Sequence, residues 1–189
     1  HFHLSLQSGC DETLKRMNRK YTTEDVLHIT KLLRENYEDV MLTTDIIVGF
    51  PGETEEDHEE VMEFVDTMEF DRLGVFTYSP EEDTPAATMP DQIEESVKED
   101  RQADLMELQQ EIAFELAEDM IGREVLVMIE GKVADENVYV GRTYKDAPNV
   151  DGYIFIQTSA SLMTGDFVKV QVTDSNEYDL IGEIYHEFT

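Results

Sequence analysis

This sequence of 189 residues has no tryptophan and only one cysteine, Cys10. A single cysteine excludes an internal disulfide and any metal site built from several cysteines. No apolar run approaches the roughly 18 residues that a membrane-spanning helix requires. No signal peptide precedes the first predicted strand. We therefore expect a cytoplasmic chain without a membrane partner, and we expect Cys10 to be a small buried residue.

Basic residues are also scarce. The chain has 14 Lys and Arg against 44 Asp and Glu, which gives a formal net charge of −30 at pH 7. Such a charge repels the phosphates of nucleic acids and attracts basic polypeptides. Nonspecific nucleic-acid binding is thus disfavoured, and a basic protein is the expected kind of partner.

The chain has no initiator methionine, and it opens directly on an alternating polar and apolar pattern at residues 1–7. This pattern is typical of a β-strand. A chain that begins inside a strand is expected to be a fragment of a longer protein. Its first strand then has an open edge, which predicts self-association unless another segment covers it.

Strands and helices alternate through residues 1–90. Strands are predicted at residues 1–7, 41–49 and 72–78, and the alternation favours a parallel α/β sheet. Thr22 and Asp25 predict a capping box, with aspartate in the usual place of glutamate, and Thr54 predicts the start of the next helix. The apolar spacing of the first of these helices predicts an inward face made of Val26, Ile29, Leu32 and Leu33.

A long helix is predicted near residues 92–120, and Gly122 ends it. Beyond Gly122 the apolar period changes from 3.6 to 2, and five short strands predict a small antiparallel barrel of the OB type. These strands are predicted at residues 125–130, 138–142, 153–157, 167–173 and 180–185. The domains are then an α/β part at residues 1–90, a linker helix at 91–120 and a β-barrel at 121–189.

The turn at residues 47–54 follows a predicted parallel strand, at the end where α/β proteins bind ligands. Its glycines permit close approach of a ligand, although the residues alone favour a plain tight turn. Asp45 lies inside an apolar strand, so its carboxylate must be paired or face a cavity. His1 and His3 share one strand face, but no further ligand is evident, so no metal site is predicted.

Residues 53–69 contain nine acids and no Lys or Arg. Glu53 and its neighbours near the helix start are interpreted as partners of the helix dipole. The remaining acids form either a solvated helix face or a docking face for a basic partner. The predicted barrel has 12 acids and 5 Lys or Arg, whereas OB barrels that bind nucleic acid usually present a basic groove.

Several segments together resemble the radical-SAM methylthiotransferase family. They are residues 3–11, 17–22, 44–54, 76–80 and 84–86. The resemblance implies that residues 1–90 are the last three β/α units of a partial (βα)6 radical-SAM barrel. It implies that residues 121–189 form a TRAM domain, which binds the substrate macromolecule.

The resemblance also implies cofactors for the complete enzyme, namely S-adenosylmethionine (SAM) and two 4Fe–4S clusters. The family's three-cysteine cluster motif is absent from this chain. One cysteine cannot hold such a cluster, so the chain alone is expected to have no cluster ligands, no catalytic residue of its own and no activity.

Site residues follow from the same resemblance. The barrel-lining strand ends and nearby loops would bind SAM through Gln7, Ser8, Arg19, Asp45, Ile47, Gly49 and Tyr78. In the TRAM domain, the polar loop at residues 141–152 would bind substrate through Arg142, Tyr144, Asp146 and Asp151.

The substrate differs between branches of this family. Residues 70–82, 141–152 and 177–180 resemble the branch that adds a methylthio group to an aspartate β-carbon of a basic small-subunit ribosomal protein. Residues 1–50 resemble more closely the MiaB and MtaB branches, which modify tRNA. Two alternatives to the ribosomal-protein enzyme therefore stay open: a tRNA adenosine methylthiotransferase, and a non-catalytic acidic module that binds basic proteins.

Overall fold

A computed structural model of the chain describes residues 1–147 and 151–185. The chain divides into two compact units, His1–Ile112 and a second unit that begins at Ala113. The long helix supplies residues to both units. Each unit is described separately below.

The first unit is built on a three-stranded parallel sheet in the order β1-β2-β3. The strands are β1 (Phe2–Gln7), β2 (Leu42–Val48) and β3 (Arg72–Thr77). The helices are α1 (Asp11–Arg16), α2 (Thr23–Asn36), α3 (Glu55–Met68), a 3-10 turn (Pro85–Thr88) and α4 (Glu95–Glu118). The α/β prediction is confirmed.

Both predicted helix starts are confirmed, and both are complete capping boxes. At α2, the Asp25 backbone N–H donates to Thr22 Oγ1 at 3.3 Å, and the Thr22 N–H donates to Asp25 Oδ2 at 2.9 Å. Thr54 and Asp57 repeat this arrangement at α3, with both distances 3.1 Å. Aspartate therefore closes both boxes in the position that glutamate usually takes.

The core of the first unit lies between the sheet and its covering helices. Leu6, Leu42 and Phe70 are buried there together with Val26 and Met68.

The predicted inward face of α2 is partly wrong, because Ile29 and Leu32 are 46% and 50% exposed. The buried stripe of α2 follows Val26, Thr30 and Leu33 instead. Ile29 lies on the flank of that stripe, and Leu32 faces away from it.

Side chains of α4 cover the outer edge of β3. Gln102 Nε2 donates to the Val75 carbonyl of β3 at 2.7 Å, and Gln109 Nε2 donates at 2.9 Å to the carbonyl of Phe70, which precedes that strand. At the opposite edge, the Tyr21 hydroxyl bonds the carbonyls of Ser5 and Leu6 at the end of β1. Carbonyl groups that lack a neighbouring strand thus gain partners, as sheet edges require.

The second unit is a closed five-stranded barrel in the order β4-β5-β6-β8-β7. The strands are β4 (Glu124–Lys132), β5 (Val138–Arg142), β6 (Ile154–Gln157), β7 (Phe167–Asn176) and β8 (Asp179–Ile184). Their inward side chains form a continuous core that includes Val127, Ile129, Ile154, Ile156 and Val170.

The expectation of a wholly antiparallel barrel is wrong at one pair, because β6 and β8 run parallel. The reason is topological. Strand direction can alternate all the way around a closed ring only when the number of strands is even, so a five-stranded barrel needs a parallel pair. Across the residues that the structure describes, no helix is both long and apolar enough to span a membrane.

Candidate functional site

A cavity of about 800 Å³ opens at the carboxyl ends of the three parallel strands. This is the edge of an α/β sheet where ligands bind, and the volume lies in the range of small-molecule sites. Gln7 closes β1 there, Ile47 lies near the end of β2, and Tyr78 follows β3. The loop after α1 and the 3-10 turn complete the wall.

Five of the seven cofactor positions expected from the sequence line this cavity. They are Gln7, Arg19, Asp45, Ile47 and Tyr78. Ser8 does not belong to the wall, because it is fully buried and its Oγ accepts a hydrogen bond from the Cys10 N–H at 3.2 Å. Gly49 also lies behind the wall, where its N–H donates to Glu53 Oε1 at 2.8 Å.

The Asp45 carboxylate is paired with a histidine and also lines the cavity. Its Oδ2 lies 3.1 Å from His3 Nε2 on the neighbouring strand. The other His3 ring nitrogen lies 3.0 Å from Thr43 Oγ1, which also meets His1 Nε2 at 2.9 Å. Gly74 faces Asp45 from β3, and a Cβ at Gly74 would lie 2.6 Å from Asp45 Oδ1.

Aromatic side chains form the apolar part of the wall. The Phe50 and Tyr78 rings meet edge to face, with centroids 5.2 Å apart, and Ile47 and Phe76 line the same cavity. The Tyr78 hydroxyl is buried and has no hydrogen-bond partner among the described residues. Burying a hydroxyl without a hydrogen-bond partner costs free energy, so the Tyr78 hydroxyl is a candidate to bond a polar atom of a ligand.

Arg16 is a cavity residue that sequence reasoning missed. Its Nη2 donates to Asp57 Oδ2 and, at 2.9 Å, to Thr13 Oγ1, while its buried Nε has no partner among the described residues. The same carboxylate closes the α3 capping box. Burial raises the pKa of Asp57, but the hydrogen bonds from Arg16 and Thr54 outweigh burial and leave that pKa below its ordinary value.

The structure corrects the interpretation of Glu53 given in the sequence analysis. Its place near the helix start favours a partner of the helix dipole, but its carboxylate is buried and paired with an arginine side chain. Arg101 Nη1 on α4 donates to Glu53 Oε1 at 2.8 Å. Burial raises the pKa of Glu53, and the donors from Gly49 and Arg101 oppose this rise.

Comparison with known proteins agrees with this geometry. A model of the radical SAM superfamily matches residues 1–65, and a model of the TRAM domain matches residues 121–184. Relatives that carry the name ribosomal protein uS12 methylthiotransferase RimO match nearly the whole chain, and three of them show the extent of the match. The first, from Lachnoclostridium phytofermentans, is 56% identical over 95% of this chain. Those from Clostridioides difficile and Geobacter sulfurreducens are 46% and 45% identical over 99% and 96% of it.

The chain is similar over nearly its whole length to members of the radical-SAM methylthiotransferase family. The expected (βα)-type segment and the TRAM barrel are confirmed. The chain spans 41%, 42% and 40% of the length of these three relatives. The match to the Clostridioides difficile relative extends over 187 residues, so similarity to RimO includes the segment at residues 1–50.

The cavity wall suits the SAM of this family. SAM combines an apolar adenine with a charged amino-acid end, and the wall combines aromatic side chains with the orphan polar atoms of Tyr78 and Arg16. The fit to a 4Fe–4S cluster is poor in this chain. Burial raises the pKa of Cys10 to about 11, whereas the thiolate is the form that binds iron. Within residues 1–147 and 151–185, no three His, Cys, Asp or Glu side chains gather to hold a metal ion.

Of the TRAM positions expected to bind substrate, Arg142 is the last residue of β5, and Tyr144, Asp146 and Asp151 follow it in the chain. Asp146 Oδ2 accepts from the Thr143 N–H at 2.9 Å, and Asp151 Oδ2 accepts from the Ala147 N–H at 2.6 Å. Arg142 Nε lies 2.8 Å from Glu130 Oε1. The Tyr144 side chain is exposed. Residues 148–150 of the predicted loop lie outside the described residues.

Proposed function

We propose that this chain provides the SAM-binding wall and the substrate-binding domain of a ribosomal protein uS12 methylthiotransferase. The observation that carries the proposal is the cavity at the carboxyl ends of the strands, with its aromatic wall and its unpartnered Tyr78 hydroxyl. The names of relatives that match nearly the whole chain support the substrate. In the complete enzyme, SAM held by this wall would supply the radical chemistry that activates the aspartate β-carbon.

The described residues would hold SAM in complementary ways. Ile47, Phe50 and Phe76 offer an apolar surface that excludes water from the adenine. The Tyr78 hydroxyl and Arg16 Nε can donate to the carboxylate of SAM, since neither has another partner among the described residues. Asp45, oriented by His3, can accept from the amino group or the ribose.

The remaining expected positions contribute in other ways. Gln7 and Arg19 add polar groups to the rim of the wall. Ser8 and Gly49 shape the backbone behind it rather than touch the ligand.

The chain alone would not perform the reaction. Cys10 is its only cysteine, and its buried thiol donates a hydrogen bond to Asp57 Oδ1 at 3.5 Å. The cluster ligands of the complete enzyme must therefore come from sequence outside these 189 residues. In this division of labour, residues 1–90 contribute to the SAM site, residues 91–120 form a linker helix, and residues 121–189 bind substrate.

The net charge of −30 favours a basic ribosomal protein over tRNA as the partner. Exposed acids on α3, among them Glu56, Glu59 and Glu63, extend the negative surface. Arg142, Tyr144, Asp146 and Asp151 would contact uS12 from the TRAM domain. A ribosomal substrate also agrees with the cytoplasmic location expected from the sequence.

Mass spectrometry of uS12 tests the proposal. The complete protein that carries this chain, reconstituted without oxygen and supplied with SAM and a reductant, should add a methylthio group to one aspartate of uS12. The 189-residue chain under the same conditions should add none. Modification of an anticodon stem-loop instead of uS12 would contradict the proposed substrate. Tight uS12 binding by the complete protein without any modification would favour the acidic binding module.

A further inference from the structure

Two buried cations on α4 reach the 49–53 turn, the segment of residues 49–53 that joins β2 to α3. Lys98 and Arg101 are only 5% and 6% exposed. Burying a Lys or Arg is costly unless its charge and donors are satisfied. The groups that accept from these two belong to the turn, to the start of α3, to Tyr78 and to Glu95. Only Arg101 Nε is left without a hydrogen-bond partner among the described residues.

Arg101 holds the turn through Glu53. Its Nη1 donates to Glu53 Oε1 at 2.8 Å and to the Glu53 carbonyl at 3.2 Å, and its Nη2 donates to Glu55 Oε2 at 3.3 Å. Glu53 Oε1 also accepts from the Gly49 N–H at 2.8 Å. Glu53 Oε1 thus accepts hydrogen bonds from Arg101 on α4 and from Gly49, the first residue of the turn.

Lys98 supports the same region from one helical turn earlier. Its Nζ donates to the Tyr78 carbonyl at 2.9 Å and to Glu95 Oε2 at 3.0 Å, and it lies 5.6 Å from the centre of the Tyr78 ring. Its alkyl stem fills the space that a Cβ on Gly49 would occupy. Gly49 also has a φ of +71°, which favours glycine. The packing of Lys98 and the backbone conformation therefore both require glycine at this position.

These contacts differ from the other polar contacts of α4. Gln102 bonds the Val75 carbonyl on the open edge of β3, and Gln109 bonds the Phe70 carbonyl just before that strand. Such carbonyls need a donor wherever no neighbouring strand supplies one. Lys98 and Arg101 instead fix Tyr78 and both ends of the turn that presents Phe50. Phe50 and Tyr78 are the aromatic pair of the cavity wall.

We infer that Lys98 and Arg101 are positioning residues, which hold Phe50 and Tyr78 in the geometry that binds SAM. This inference rests on the proposed SAM site. It makes α4 part of the cofactor site, although α4 supplies no residue to the cavity wall. Shape complementarity of a site depends on such support behind the residues that touch the ligand.

The test compares Arg101→Met with Gln109→Met in the 189-residue chain. Gln109 is a matched control because it is 8% exposed, lies on the same helix and donates to Phe70, away from the cavity wall. Arg101→Lys keeps the positive charge but cannot reproduce the hydrogen bonds that Nη1 and Nη2 donate together. If Arg101→Met does not fold, the double variant Glu53→Gln/Arg101→Met replaces it, because it also removes the carboxylate that would be left unpaired. An NMR titration with SAM measures affinity, and hydrogen exchange of the Gly49 amide reports on the turn without ligand.

Arg101→Met, or the double variant in its place, should weaken SAM binding roughly tenfold or more, since small misplacements of a site are costly. It should also speed exchange at Gly49. Arg101→Lys should recover part of both losses, and Gln109→Met should change neither, whatever it does to global stability. Equal SAM affinity in all folded variants would overturn the positioning role and leave the proposed function intact. No saturable SAM binding by the unsubstituted chain would overturn the proposed SAM site itself, and the inference with it.

Discussion

Asp45 Oδ2 and His3 Nε2 lie 3.1 Å apart on adjacent strands, at the wall of the cavity. The pair explains how a largely buried strand accommodates a carboxylate. Gly74 on the other side leaves room for the second carboxylate oxygen. The acid is thereby held in one orientation while its side chain stays accessible to a ligand.

Replacing Asp45 with alanine should weaken SAM binding by about tenfold to a hundredfold. That range corresponds to the loss of one charge-assisted hydrogen bond, worth about 1.5–3 kcal/mol. Asp39→Ala is a suitable control, since Asp39 is an exposed acid outside the cavity wall. Isothermal titration of both variants would measure the difference. Unchanged affinity in a folded Asp45→Ala protein would remove Asp45 from the SAM site.

Tyr78→Phe should separate binding from stability. The Tyr78 hydroxyl has no partner among the described residues, so its removal should leave the free energy of unfolding unchanged or raise it by about 1 kcal/mol. SAM binding should nevertheless become weaker. Urea unfolding and a SAM titration on the same preparation provide the two readouts, and a marked loss of stability would mean that the hydroxyl has a structural partner.

Asp57→Asn should destabilise the first unit by about 2 kcal/mol at neutral pH, because it weakens both the α3 capping box and the Arg16 ion pair. The folded-state pKa of Asp57 is below its ordinary value of 3.8. The stabilisation is therefore complete above that value and is lost as the pH falls through the lower folded-state pKa. Unfolding curves of the parent and Asp57→Asn proteins should converge in strong acid, and a constant gap between them would contradict this origin.

Cys10 should react slowly in the native protein. Its pKa rises from 9.0 to about 11, which lowers the thiolate fraction near pH 8 roughly a hundredfold. Alkylation by iodoacetamide should accelerate by at least that factor when the chain is unfolded in urea. Similar rates in the two states would show that the thiol is accessible and ionised as in a free peptide.

Local sequence signals were sufficient for most secondary-structure elements. Thr22 with Asp25 predicted a helix start because both partners of a capping box lie within four residues. The alternating pattern after Gly122 likewise predicted all five barrel strands. The orientation of the closing pair, β6 with β8, depends on the number of strands in a ring and not on any local pattern.

The buried support of the site could not be predicted in the same way. Glu53 and Arg101 are 48 positions apart, and each alone is typical of an exposed helix face. Arg16 was missed for a similar reason, since only the folded chain brings it to Asp57 across 41 positions. The strand ends, in contrast, were predictable because ligands of parallel sheets gather there.

Side-by-side binding of uS12 and a tRNA anticodon stem-loop to this chain tests the central claim most directly. Both titrations should be run at low and moderate salt, because screening weakens attraction between charged surfaces. The account predicts binding to uS12 that weakens as salt rises, and little binding to the stem-loop. Preferential binding of the stem-loop would contradict the account and would assign the chain to a tRNA-modifying enzyme.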